Sequence, residues 1–211
     1  MRTKSFIFDI DGTLIDTFAM YMPALFATLA DHGYHFTDVA AREKALYGIS
    51  AVDAMRKLGI PEREIGPLCQ DWIARAYQHF DQVTVLPGIP AALAQLAARP
   101  DTRLAIVTSK LSREYREYFQ DQYRFARYFD LVVTADDTRQ HKPDPAPLHL
   151  AIERLGADPR ATVYVGDMPT DMQAAHGAGI KFAGALYGAV HPEQLAPADY
   201  RLTTPANLLT I

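Results

Sequence analysis

The chain has 211 residues, of which 49% are hydrophobic and 22% charged, an ordinary balance for a globular protein with one large domain or one domain and a small insertion. A formal net charge of -4 gives no global electrostatic reason to expect nucleic-acid binding, yet it does not forbid an anionic substrate, because local field matters more than the sum. Cys69 is the only cysteine, which excludes an internal disulfide and a cysteine-cluster zinc site and fits a reducing cytoplasm, with the thiol packed in a helix.

The opening segment MRTKSFIFDIDGTL is interrupted by Asp9 and Asp11 too early to be a signal peptide or a membrane span. Ser5 to Asp9 is a short aromatic and β-branched run that predicts a buried strand ending in a carboxylate, and Gly12-Thr13 predicts the turn after it. From Tyr21 to Gly59 the spacing becomes helical: Leu25, Leu29 and Ala30 share a face, and Gly33 and Gly59 act as stops. Pro61 opens a further helix carrying Leu68, Trp72 and Tyr77. Pro87-Gly88 then punctuates the chain, and strand-like and helix-like runs alternate beyond it. Strands are predicted at 104–108, 131–134, 162–166 and 180–185, with a weaker one at 200–202. Helices are predicted at 90–98, 112–123, 145–155 and 170–178.

Alternation of this kind implies right-handed crossovers and a doubly wound parallel sheet, an α/β fold. The first strand must join the same sheet, so residues 18–82 read as a helical cap inserted into a catalytic core of 1–17 and 83–211. Sites in such sheets lie at the carboxyl ends of the strands. That rule gathers Asp9, Asp11, Thr108, Ser109, Asp136, Asp137 and Asp167.

Asp9 and Asp11 stand one residue apart at a strand end, where two partly buried acids are costly unless a cation binds. Asp167 and Asp171, in GDMPTD, lie on one side of a predicted helix start, where the bland role is N-capping by Asp167. Together the acids form an oxygen-rich set that suits Mg²⁺ better than Zn²⁺. Thr108 and Ser109 sit at a strand-to-helix turn able to hold phosphate oxygens. Lys142, in the proline-stiffened HKPDPAP, offers a placed positive charge. A carboxylate attacking a phosphoryl group needs such charge against the repulsion, and a second carboxyl to move protons.

With these four motifs in order, DIDGTLID (9–16), the strand ending at Thr108, Lys142 before Pro143, and GDMPTD (166–171), the chain resembles the haloacid dehalogenase superfamily over its whole length. The texture of the last two motifs is similar to its phosphoglycolate phosphatase-like and pyrophosphatase-like members with a small helical cap. The resemblance implies a Rossmann-like core and an Mg²⁺-dependent phosphatase of a small phosphorylated metabolite, phosphoglycolate-like, that works through a phosphoaspartate. It implies Asp9 as nucleophile, Asp11 as general acid/base with its backbone carbonyl on the metal, and Thr108 and Lys142 on the phosphoryl group. It further implies Asp167 as metal ligand, Asp171 as its support, and Gly12 and Thr13 as phosphate-binding turn. Ser109 departs from the asparagine common in the family. The cap stretch LYGIS (46–50), with Gly48, is similar to its specificity loop, and the cap joints imply a lid.

The second Asp of the first motif argues for phosphoryl chemistry over dehalogenation. A pyrophosphatase, a β-phosphoglucomutase-like mutase and a non-catalytic phospholigand-binding protein are the alternatives. A phosphonate hydrolase would need a Schiff-base lysine in the cap, where Lys44 and Lys57 stand. The expected setting is cytoplasmic, as monomer or homodimer, with no nucleic-acid or membrane partner.

Overall fold

A computed structural model describes residues 3–211; Met1 and Arg2, at the start of the expected core segment, lie outside the described residues. The chain divides into two compact units, one drawn from Met1–Ile15 and Val85–Ile211, the other from Asp16–Thr84.

In the first unit, β1 (Lys4–Phe8), β4 (Thr102–Val107), β5 (Leu131–Val133), β6 (Thr162–Gly166), β7 (Lys181–Ala185) and β8 (Tyr200–Leu202) form one six-stranded sheet. Its order is β5-β4-β1-β6-β7-β8 and every pairing is parallel, so the expected doubly wound sheet is what forms. β1 pairs Ile7 with Ala105 on one side and with Tyr164 on the other. The chain builds outward from β1 to β4 and β5, then returns past β1 to build β6, β7 and β8. The order therefore reverses at β1, and a crevice opens there at the carboxyl ends.

Alternation along the strands divides the core in two. Ile7, Ala105, Val107 and Tyr164 point to the face covered by α7 (Ala146–Leu155) and α8 (Pro169–Gly177), where Leu148, Ala151, Ala174 and Ala175 complete the packing. Phe6 and Phe8 point to the other face, where the Phe129 ring meets Phe8 edge-on at 5.8 Å. α5 (Ile89–Ala97) packs against β4. The helix expected over 112–123 is a short α6 (Ser112–Tyr115) that widens at once into a π turn, Arg116–Gln120, with Phe119 buried. A closing 3₁₀ segment, Pro205–Thr210, carries no helical period and was not expected.

The second unit holds α1 (Phe18–Asp31), α2 (Val39–Leu46), α3 (Ala51–Lys57) and α4 (Glu62–Tyr77). α1 and α4 bury Leu25, Leu29, Leu68 and Trp72. The Trp72 indole N–H donates to the Tyr21 carbonyl at 2.7 Å, which satisfies its one polar group. Cys69 is buried on α4. Short strands β2 (Ile15–Asp16) and β3 (Thr84–Val85) pair where the chain passes between units. Among the described residues no helix is long and apolar enough to cross a membrane.

Leu148 is fully buried under the sheet. Leu148→Ala is expected to lower stability by about 2–5 kcal/mol through lost transfer energy and a residual cavity. Urea denaturation followed by circular dichroism measures it; a loss below ~1 kcal/mol would show that this layer is not closely packed.

Candidate active site

The carboxyl ends of β1, β4 and β6 bring the acids together. Asp9 follows β1, and its N–H continues the parallel ladder to the Val165 carbonyl at 2.9 Å, which fixes where its side chain starts. Asp167 follows β6, and Asp171 lies in the first turn of α8. One carboxylate oxygen from each of Asp9, Asp167 and Asp171 lies within 4.8 Å of the others. Asp167 and Asp171 are 2% and 1% exposed.

Lys142, whose peptide bond to Pro143 is cis, stands among them. Its ammonium is 3.0 Å from Asp9 Oδ1 and 2.8 Å from Asp171 Oδ1. N-capping falls to Asp171 and not to the expected Asp167: the Met168 N–H donates to Asp171 Oδ2 at 3.1 Å. Both oxygens of Asp171 therefore accept hydrogen bonds. Among the described residues Asp167 accepts only from the Thr13 hydroxyl, at 3.1 Å on Oδ1, and its buried Oδ2 has no partner there. An unpartnered buried carboxylate oxygen is costly, and it marks a place where a cation fits.

The turn at Gly12 is built around Asp167. Gly12 has φ +73°, and a Cβ there would stand 2.2 Å from Asp167 Oδ2. Conformation and space both require glycine. The Tyr187 hydroxyl donates to the Thr13 carbonyl at 3.1 Å, so the N–H, carbonyl and hydroxyl of Thr13 are all engaged.

Asp11 is not one of the three clustered carboxylates, though its charge acts on Asp9. Lys110 Nζ lies 2.9 Å from Asp11 Oδ1, an ion pair by distance though not an aligned hydrogen bond. Lys110 is 4% exposed, while Ser109, the residue singled out by sequence, faces solvent. The Thr108 hydroxyl is buried in the same turn and accepts from the Lys110 N–H at 3.2 Å. Asp136 and Asp137 do not join the site. Asp136 accepts from Ser112 and Thr134, which hold its carboxyl down to about 2, and Asp137 accepts from the Thr134 N–H and pairs with Arg154. They close the turn after β5. Gly48 belongs to the helical unit, with φ +81° between α2 and α3.

Three residues with parts in this arrangement were not singled out by sequence. Lys110 lacked a motif partner, Tyr164 read as one more apolar strand residue, and Tyr187 follows the last strong strand. A lysine two residues past a strand end that already carries Thr108 was the one usable signal.

Burial dominates the electrostatics. It pushes the Asp9 carboxyl up to about 7, with Lys142 opposing and Asp171 and Asp11 adding to the rise. Asp167 is held well above the carboxylate range by burial and by the charges of Asp171 and Asp9. For Lys142, burial acts downward, but Asp171 and Asp9 outweigh it and keep the ammonium charged.

The family model for haloacid dehalogenase-like hydrolases matches residues 6–185. The N-acetylmuramic acid 6-phosphate phosphatase of Pseudomonas aeruginosa is 34% identical over 197 residues, 92% of this chain and 86% of that protein. Pyrophosphatase PpaX of Bacillus velezensis is 32% identical over 213 residues, covering 100% and 96%. A crystal structure from Lactobacillus plantarum, provisionally named a phosphoglycolate phosphatase, superposes with a TM-score of 0.91 at 30% identity, covering 100% and 99%.

The raised Asp9 carboxyl sets a pH dependence. Below its ordinary value of 3.8, Asp9 is protonated whether folded or not and contributes nothing. Between that value and about 7 the unfolded chain loses a proton that the folded chain resists losing, so stability falls as pH rises. In metal-free buffer, Asp9→Asn should gain on the wild type over this window, by on the order of a few kcal/mol at neutral pH. Denaturant titrations of both proteins at several pH values measure the difference; one that stays constant with pH would contradict the strained carboxylate.

Proposed function

The chain belongs to the haloacid dehalogenase-like hydrolase family, and on that premise we propose that it is a magnesium-dependent phosphatase of a small phosphomonoester, with Asp9 as covalent nucleophile. The observation that carries this reading is the pairing of Asp9 with a buried ammonium, 3.0 Å away, beside two further buried carboxylates. A nucleophile that must stay ionised next to an incoming dianion needs positive charge held in place.

The residues fit a hard divalent cation. Three carboxylates face one ammonium, a surplus of two negative charges when all are ionised. The donors are all oxygens, and Asp167 Oδ2 is left without a partner. Asp9 and Asp167 would hold the ion together with the Asp11 backbone carbonyl, and Asp171 would add charge while its oxygens anchor Lys142 and the start of α8. Bound there, Mg²⁺ supplies the charge that keeps Asp9 ionised and offsets the negative charge on phosphoryl oxygens.

The chain's own groups divide the remaining work. An Asp9 carboxylate oxygen attacks phosphorus, and the bond from phosphorus to the leaving oxygen breaks. Asp11 in its acid form gives that oxygen its proton. Asp11 then takes a proton from water as the water oxygen attacks the phosphoaspartate, which releases phosphate and restores Asp9. Lys142 stays protonated throughout and neutralises charge beside Asp9. Lys110 holds the Asp11 side chain between turnovers. The Thr108 hydroxyl lines the phosphoryl position, while the Gly12 and Thr13 N–H groups, expected to bind phosphate, donate to the Ile15 and Ile10 carbonyls and shape the turn instead.

The relatives' names set the substrates to test: N-acetylmuramic acid 6-phosphate, 2-phosphoglycolate and pyrophosphate. A pyrophosphatase is the second reading, favoured by the full-length match to PpaX.

Purified protein with Mg²⁺ should hydrolyse p-nitrophenyl phosphate and at least one of these compounds, and chelation should stop it. Asp9→Asn should lower kcat by about three orders of magnitude or more. Asp167→Asn should raise the Mg²⁺ needed for half-maximal rate by more than about tenfold. Mass spectrometry of the acid-quenched reaction should find a phosphoryl group on Asp9; an adduct elsewhere, or an active Asp9→Asn, would overturn the assignment.

A further inference from the structure

We propose that Tyr164 is a positioning residue: its hydroxyl, anchored on the Val107 carbonyl, fixes where the Lys142 ammonium stands between Asp9 and Asp171. The proposal rests on the reading of Asp9 as nucleophile.

Tyr164 is fully buried, packed on the α7 and α8 face with Ile7, Val107, Leu148 and Phe182. Phenylalanine would fill that volume equally well. A hydroxyl there costs desolvation unless it is satisfied, so its presence needs a reason. The hydroxyl has three neighbours. It donates its one proton to the Val107 carbonyl at 3.1 Å and accepts from Lys142 Nζ at 3.0 Å. Asp171 Oδ1 lies at 3.3 Å, the longer of its two acceptors.

The count of donors on Lys142 makes the case specific. An ammonium has three protons and no acceptor. Asp171 Oδ1 at 2.8 Å and the Tyr164 hydroxyl at 3.0 Å each accept one of them, and Asp9 Oδ1, at 3.0 Å, pairs with the ammonium by charge. With Tyr164 in place, two N–H bonds are directed and the charge is held beside Asp9. Without its oxygen, the ammonium keeps only two carboxylates and is free to settle on the nearer one, Asp171, at the expense of Asp9.

The anchor also matters. Val107 ends β4 and precedes Thr108, Asp171 opens α8, and Lys142 lies in the loop before α7. One phenol oxygen therefore touches three chain segments that each carry a residue of the site. Its ring sits in the rigid sheet, with Lys142 Nζ 5.7 Å from the ring centroid. A lysine side chain has four rotatable bonds, and rigid neighbours are what confine its charge to one point.

The test is Tyr164→Phe, which keeps the ring and removes the oxygen, made in the wild type and in a Lys142→Arg or Lys142→Gln background. Tyr164→Met serves if the first variant does not fold. With p-nitrophenyl phosphate and Mg²⁺, Tyr164→Phe should lower kcat about tenfold, the loss expected for one hydrogen bond to a charged group, with KM rising by no more than several-fold. The melting temperature should fall by only a few degrees, about what one buried hydrogen bond contributes. In the Lys142 variants the same change should alter kcat by less than about twofold. Calorimetric titration with inorganic phosphate gives a readout without turnover, and affinity should drop several-fold only where Lys142 is present. A wild-type kcat and phosphate affinity in Tyr164→Phe, or equal losses in both backgrounds, would overturn the proposal. A Lys142-dependent loss of phosphate affinity in a protein that hydrolyses no phosphoester would uphold the positioning and defeat the catalytic reading.

Discussion

Lys142 carries its ammonium into a nearly dry volume, 3.0 Å from Asp9 and 2.8 Å from Asp171, and the arrangement around it follows from that burial. Removing an ion from water costs several kcal/mol even after relaxation, and close opposite charge offsets this only when the remaining donors and acceptors are also satisfied. Lys142 comes near that condition through hydrogen bonds to Asp171 and Tyr164, with the Asp9 charge beside it. The carboxylates do not. One ammonium cannot neutralise three of them, so Asp9 and Asp167 are both driven toward their protonated forms. The site is therefore unbalanced in charge by construction. A fold selected for stability alone would have little use for an orphaned oxygen on Asp167. Instability of this kind is the usual companion of sites that bind cations and handle anions.

Backbone proximity is the second constraint, and it comes from the same crowding. Asp167 and Asp171 can enter the crevice only because the chain beside them carries no side chain. A Cβ on Gly12 would stand 2.2 Å from Asp167 Oδ2, and one on Gly166 would stand 2.5 Å from Asp171 Oδ2. The segment after β7 presses on the same turn: a Cβ on Gly188 would lie 1.9 Å from the Gly12 carbonyl oxygen. Tyr187, next to it, donates to Thr13, and Thr13 donates to Asp167. The acid at the end of β6 is thus held through a relay that starts beyond β7 and passes through Thr13, 154 residues away in sequence.

Much of this was legible before any coordinates. Asp9, Asp11 and Asp167 stood out because strand periodicity ends at or just before them, Asp171 because it follows Asp167 by four residues at a helix start, and Lys142 because prolines follow it. The parallel sheet followed from strands alternating with helices. What stayed hidden were roles that depend on which way a side chain turns. Ser109 and Lys110 are adjacent, and nothing local shows that the serine faces water while the lysine turns in to Asp11. Asp136 and Asp137 also end a strand, but the Thr134 and Ser112 hydroxyls take them into a turn. Asp167 looked like the natural helix cap, yet Asp171 performs that service from within the first turn. Tyr164 carries the apolar pattern of β6 faithfully, and its hydroxyl is invisible to a reading based on hydrophobic period.

Sheet topology explains why these particular residues meet. Right-handed crossovers place α5, on the way out from β1, and α7 and α8, on the way back, on opposite faces. At the reversal the crossovers lead away to either side of β1, and the side chains at the carboxyl ends there face one another across strand spacings of about 4.8 Å. Asp9 lies in the middle of the sheet, with the turn after β4 on one side and Asp167 after β6 on the other. Residues placed at those three ends are forced within reach of a single small ion or phosphoryl group. The α7 and α8 face below them supplies the rigid floor, and Tyr164 is the point at which that apolar floor becomes polar. A site of this kind needs both: charges that would repel one another in a flexible loop, and a packed sheet stiff enough to keep them from separating.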